Sequence, residues 1–138
     1  MKPLFADSSY YIALMSARDA WHAAAVPWNE DPRQPLVTTE FVLVEVANAF
    51  CSPKWRNAFG ILLSGLHSDP GNLVLPATTE LFGAGVALYL RRLDKQWSLT
   101  DCISFVVMER EGLSEALTAD RHFEQAGFTA LLRQGHDG

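Results

Sequence analysis

Short apolar runs recur along this chain at separations too wide for hairpins, and that alternation is what most restricts the folds open to it. Leu4–Ala6, Leu36–Thr38, Leu73–Leu75 and Ala116–Thr118 have the length of buried strands, and a last run spans Thr129 to Leu132. Between them the apolar residues fall at helical spacing. One helix opens near Tyr10 behind Asp7-Ser8-Ser9, one over Asp19 to Trp28 is broken by Pro27 and the Pro32/Pro35 pair, and a third covers Glu40 to Cys51. Trp55 to Leu66 follows, closed by Asp69-Pro70-Gly71, then Phe82 to Leu93, Ser98 to about Glu111 closed by Gly112, and a brief turn from His122 to Ala126. Strands separated by helices pair in parallel, because a crossover that carries a helix returns the chain to the same edge of the sheet. The reading is an α/β fold, one domain over residues 1–138, with a mainly parallel central sheet flanked by helices. With 49% hydrophobic and 20% charged residues, the chain has material for one core of ordinary globular kind.

The longest stretch free of Asp, Glu, Lys and Arg, Asn57 to Ser68, falls well short of the ~20 apolar residues that cross a bilayer, so no membrane association is expected. The apolar run near Met1 is too short for a signal peptide, and Cys51 and Cys102 form neither a disulfide framework nor a zinc spacing. A reduced, cytoplasmic setting is the expectation. The net charge of −5 argues against a protein that holds nucleic acid by bulk positive charge.

Ligands of open parallel sheets bind beyond the carboxyl ends of the strands, and two aspartates stand there. Asp7 directly follows the first run, and Asp120 follows the fourth after Ala119. Asp101 lies in the first turn of its helix, in the capping-box pattern Ser98-Leu-Thr-Asp101, and the returning chain can bring it to the same edge. Each has a plain structural alternative, as helix cap, capping box or Asx-turn, with a value of ~1 kcal/mol. Glu45 is harder to account for. Its helix is apolar on nearly all sides and is expected deep in the core, and the neighbours of Glu45 at three and four residues are Phe41, Val42, Asn48 and Ala49, none of them basic. A buried carboxylate there needs an arginine from elsewhere, such as Arg92 or Arg121, or a cation shared with other acids. Asp7, Glu45, Asp101 and Asp120 therefore form the candidate catalytic and metal-ligating set.

Oxygen-only ligands select Mg2+ or Mn2+ over zinc. His22, His67, His122 and His136 are scattered, and His122, although close to Asp120, reads as a surface or packing residue. A divalent ion among carboxylates suits phosphodiester hydrolysis. Phosphatase chemistry of the haloacid type fits poorly, since it wants a second Asp where Ser9 stands.

These residues resemble the PIN-domain nucleases, and within them the small single-domain toxins of VapC type from bacterial and archaeal toxin–antitoxin pairs. Phe5-Ala-Asp7-Ser-Ser9 is similar to the family's first strand and acid, and Thr38-Thr-Glu-Phe-Val-Leu-Val-Glu45 to its threonine-led helix with the second. Trp97-Ser-Leu-Thr-Asp101-Cys-Ile-Ser-Phe resembles the helix start that carries the third. Leu117-Thr-Ala-Asp120-Arg-His-Phe123, followed by Gly127-Phe128, resembles the terminal segment with the fourth. The resemblance implies an acidic pocket that binds one or two Mg2+ or Mn2+ and cuts RNA endonucleolytically. It makes Asp7 and Asp101 the principal metal ligands, with Asp120 and Glu45 completing the pocket and the hydroxyls of Ser9 and Thr118 orienting the carboxylates. It also implies a homodimer and a cognate antitoxin whose tail covers the active site. His122 stands where some relatives carry a further acid. A catalytically silent PIN-like module that binds RNA or protein, or an RNA-processing nuclease outside a toxin–antitoxin pair, is the alternative. On this reading the negative balance is largely the site itself, and Arg91, Arg92, Lys95 and Arg121 are candidate contacts to the RNA backbone once divalent ions invert the local field.

Overall fold

A computed structural model of the chain describes residues 1–135. Five parallel strands, β1 (Leu4–Ala6), β2 (Leu36–Thr39), β3 (Leu73–Leu75), β4 (Glu115–Leu117) and β5 (Thr129–Ala130), form one sheet in the order β3-β2-β1-β4-β5. The first three strands step outward in one direction from β1, and the chain then crosses to β4 on the other side. The order therefore reverses between β1 and β4, the switch point at which open α/β sheets take their ligands.

The helices are α1 (Ser8–Met15), α2 (His22–Ala25), α3 (Glu40–Ala49), α4 (Pro53–Ser68), α5 (Thr79–Arg91), α6 (Leu99–Glu111) and α7 (Arg121–Gln125). Two segments depart from the sequence reading. The helix expected over Asp19 to Trp28 is the single turn α2 followed by a 3-10 turn, Val26–Asn29, with Pro27 near its start, because proline removes an amide from the α-helical ladder. The last expected strand stops at Ala130. Leu131–Arg133 is a 3-10 turn that buries Leu131 and Leu132 and donates the Leu132 amide to Thr118 O at 3.3 Å.

Two helices and one aromatic cluster position the edge where the acids lie. α5 and α6 run antiparallel: Glu80, near the start of α5, pairs with Arg110, near the end of α6, at 2.7 Å. Gly112, at φ 68°, closes α6 in the left-handed conformation that glycine adopts without a Cβ penalty. Gly85 lets the two helices approach closely, since a Cβ there would overlap the side chain of Ile103 and lie 3.3 Å from its Cα. Gly85→Ala is expected to cost ~1–3 kcal/mol by overpacking, read as a lowered midpoint in urea unfolding. Fully buried Phe123 of α7 stacks edge-on against Phe105 of α6 at 4.9 Å and lies 6.2 Å from Phe5 of β1. Trp97 packs edge-on against Phe105 at 5.0 Å and donates Nε1–H to Gln125 Oε1 at 3.1 Å. The start of α6 is thereby pinned to α7, and both to the first strand.

Candidate metal centre

Asp7 and Asp120 stand just past β1 and β4, and Asp101 meets them from the start of α6. Asp7 is the first residue past β1, and its amide continues the strand pairing by donating to Leu117 O at 3.1 Å. It is 3% exposed and makes no side-chain cap to α1, so the capping reading does not account for it. Its Oδ2 accepts instead from Thr118 Oγ at 2.7 Å and from Ser9 Oγ at 3.0 Å. Each hydroxyl has one proton. With that of Thr118 spent on Asp7, the Ser9 proton is shared between Asp7 and Thr118 Oγ, the latter at 3.1 Å. Both hydroxyls are aimed by backbone amides: Ala119 donates to Ser9 at 2.9 Å and Asp120 to Thr118 at 3.0 Å. A rigid turn after β4 therefore sets the rotamer of a carboxylate after β1.

Asp101 does complete the capping box that its sequence pattern announces. Its amide donates to Ser98 Oγ at 3.0 Å, and its Oδ2 accepts from the Ser98 amide at 3.3 Å. The cap leaves the carboxylate turned toward α7, where the same Oδ2 lies 3.1 Å from His122 Nδ1. Asp120 caps α7 by accepting from the His122 amide at 2.8 Å, and its Oδ1 stands 3.3 Å from that same Nδ1. Asp101, Asp120 and His122 thus each present one ligand atom, all within 4.8 Å of one another.

Burial raises the pKa of Asp7 to about 7, against the stabilising hydrogen bond from Thr118 and with the charge of Asp101 adding to the rise. Burial also lifts Asp101, and the charge of Asp120 lifts it further, while the His122 hydrogen bond opposes both. Among the described residues no Lys or Arg pairs with Asp7, Glu45, Asp101 or Asp120. Acids brought together out of water with a single imidazole and no Lys or Arg beside them have the donor chemistry that a divalent cation fits.

Glu45 lies elsewhere than expected. α3 buries Val42, Leu43 and Val46, but Val44 is 57% exposed and Glu45 half-buried, because an all-apolar composition does not by itself make a helix central. Glu45 pairs with neither Arg92 nor Arg121. Its Oε1 accepts from Ser8 Oγ at 2.8 Å, which holds it beside Asp7 and outside the Asp101–Asp120–His122 trio. Of the basic candidates, Arg92 is engaged internally: Asp94 takes its Nε at 2.9 Å and its Nη2 at 3.1 Å, and its guanidinium lies 4.9 Å over the Trp97 ring. Arg91 and Arg121 are exposed and Lys95 is half-buried, none with an ion pair among the described residues.

His122 is the residue that sequence reasoning set aside and the structure brings into the pocket; His136 lies outside the described residues. A signal was available. An Asp that caps a helix draws the amide two residues on toward its carboxylate, so the side chain at that position is held near the cap.

The PIN domain family model matches residues 4–129. The chain is 25% identical over 129 residues to the 23S rRNA-specific endonuclease VapC20 of Mycobacterium tuberculosis, in each of two strains, covering 93% of this chain and 97% of the relative. The crystal structure of M. tuberculosis VapC20, a sarcin–ricin loop cleaving toxin, superimposes with a TM-score of 0.79 at 26% identity, over 91% of this chain and 96% of that one.

Proposed function

This chain belongs to the PIN-domain family, and on that premise we propose that it is a divalent-metal-dependent endoribonuclease that serves as the toxin of a toxin–antitoxin pair. The observation that carries the reading is the grouping of Asp101, Asp120 and His122, with Asp7 near enough to feel the charge of Asp101 and no Lys or Arg paired with any of the acids among the described residues. Asp7 and Asp101 would hold the ion, with Asp120 beside them and Glu45 reaching the rim through Ser8. When bound, Mg2+ or Mn2+ supplies a water acidic enough to be a nucleophile at neutral pH and offsets charge on the phosphate.

The chain's own residues do the positioning. Thr118 and Ser9 hold Asp7 in one rotamer, and the capping box does the same for Asp101, so the acids need not reorganise when the ion arrives. Exposed Arg121, next to Asp120, would meet RNA phosphates, with exposed Arg91 and half-buried Lys95 as further contacts and Arg92 already committed to Asp94. Phe82, Tyr89, Leu90 and Leu93 leave an apolar stripe exposed on and just beyond α5, which supports a homodimer. No helix among the described residues is long and apolar enough to cross a membrane, and the proposal places the protein in the cytoplasm with its RNA and its antitoxin.

The reading is tested by incubating the purified protein with a 23S rRNA fragment that contains the sarcin–ricin loop, in Mg2+, in Mn2+ and in EDTA, and mapping the new 5′ ends. Discrete cleavage in either metal and intact RNA in EDTA is the expected result. RNA that stays intact in all three, across rRNA and total cellular RNA, would instead mark a silent binding module.

A further inference from the structure

We propose that His122 is a nitrogen ligand of the bound ion and that it sets the ion's identity, favouring Mn2+ over Mg2+. The inference rests on the pocket being a divalent-metal site, and it adds a donor that the four acids do not supply.

Three observations lead to it. First, the spacing is that of ligands. Cis donors on an octahedral ion with bonds of ~2.1 Å lie ~3.0 Å apart. His122 Nδ1 lies 3.1 Å from Asp101 Oδ2 and 3.3 Å from Asp120 Oδ1, so the nitrogen is spaced from each oxygen as a neighbouring vertex, and all three atoms lie within 4.8 Å of one another. Second, one ring nitrogen faces two carboxylates. A single N–H satisfies one of them well, whereas a cation in front of all three takes a lone pair from each, with the imidazole proton kept on Nε2. Third, the placement is enforced. The His122 amide is tied to Asp120 at 2.8 Å, and the next residue, Phe123, is fully buried against Phe105 and Phe5, so the register of α7 commits His122 to its side of the turn.

The consequence for the ion follows from ligand chemistry. Mg2+ strongly prefers oxygen and gives up its waters reluctantly, so a site that offers nitrogen in place of a third carboxylate holds it less well. Mn2+ accepts carboxylate oxygen and also rises with nitrogen donation, so the same site handicaps it less.

The test is pulsed electron paramagnetic resonance of Mn2+ bound to the full chain, grown with natural-abundance and with 15N-labelled histidine, together with calorimetric titration of Mn2+ and Mg2+. The expected result is a nitrogen coupling to Mn2+ that changes with the isotope and disappears in His122→Gln. In His122→Asp, an all-oxygen site, the Mn2+/Mg2+ affinity ratio is expected to fall about tenfold. Mn2+ that binds the wild type with no nitrogen coupling overturns the inference and leaves the metal site standing. A chain that binds neither ion overturns both. The absence of coupling in the wild-type spectrum overturns the proposal by itself, so a variant that folds poorly does not shelter it.

Discussion

Replacing Asp101 with Asn is expected to reduce RNA cleavage by ~100-fold or more while the protein remains folded. The substitution keeps the size of the side chain and one oxygen, so the amide of Ser98 keeps an acceptor and the helix retains most of its cap. What disappears is the negative charge, and with it most of the attraction for a divalent ion at the point where Asp101, Asp120 and His122 converge. The capping contribution is ~1 kcal/mol, so a folding defect cannot be the larger effect. Single-turnover cleavage of the rRNA fragment at saturating metal, beside far-UV circular dichroism, separates the two. A variant that cuts within a few-fold of the wild type would remove Asp101 from the machinery and leave it a capping residue.

Asp7→Asn is expected to abolish cleavage as well, and to make the metal-free protein more stable at neutral pH. The sign follows from the proton inventory. In the folded chain burial raises the Asp7 pKa to about 7, whereas in the unfolded chain the group titrates near 3.8. Between those values the native state binds a proton that the unfolded state has released, so stability is full below pH 4 and is lost as pH rises toward 7. The full difference corresponds to ~4 kcal/mol as an upper limit, since relaxation and water entry reduce it. Asn carries no charge to desolvate, and its carbonyl oxygen can accept from Thr118 and Ser9 as the carboxylate does. Urea unfolding in EDTA should show the wild type weakening from pH 5 to pH 8 and the variant much less so. A divalent ion at 100 times its dissociation constant would restore ~2.7 kcal/mol to the wild type alone. A variant less stable than the wild type at pH 8 without metal would show that the Asp7 charge is compensated in some other way.

The two expectations together describe a site that opposes folding until an ion fills it. That tension explains why the acids stand on rigid supports. Asp7 is fixed by strand pairing and by hydroxyls whose own amide donors come from the turn after β4, and Asp101 by a reciprocal cap. Loose carboxylates would swing apart into water; these are held together against their repulsion by local hydrogen bonds that cost the chain little.

Much of this was readable from residue order. The alternation of apolar runs with helical spacing specified a parallel α/β sheet, because crossover connections permit little else, and the positions just past the first and fourth runs named Asp7 and Asp120. Ser98-Leu-Thr-Asp101 announced its capping box, and Gly112 its helix end, since both depend on contacts within one turn. Whatever depended on distant partners was not readable. The apolar composition of α3 suggested a deep helix with Glu45 enclosed, yet Val44 faces solvent and Glu45 finds Ser8, because burial is decided by what packs on each side. Arg92 looked free until Asp94 and Trp97 claimed it, and His122 looked incidental until the antiparallel return of α6 carried Asp101 to its ring nitrogen. Local hydrogen bonding and periodicity are written in neighbouring residues, so the sequence alone determined most of the elements and the positions of Asp7, Asp101 and Asp120 at their strand ends and helix start. The meeting of Asp101 with Asp120 and His122 joins the start of α6 to the start of α7, and Asp7 reaches Thr118 across 111 residues, so only the tertiary structure decided that a histidine stands among the acids.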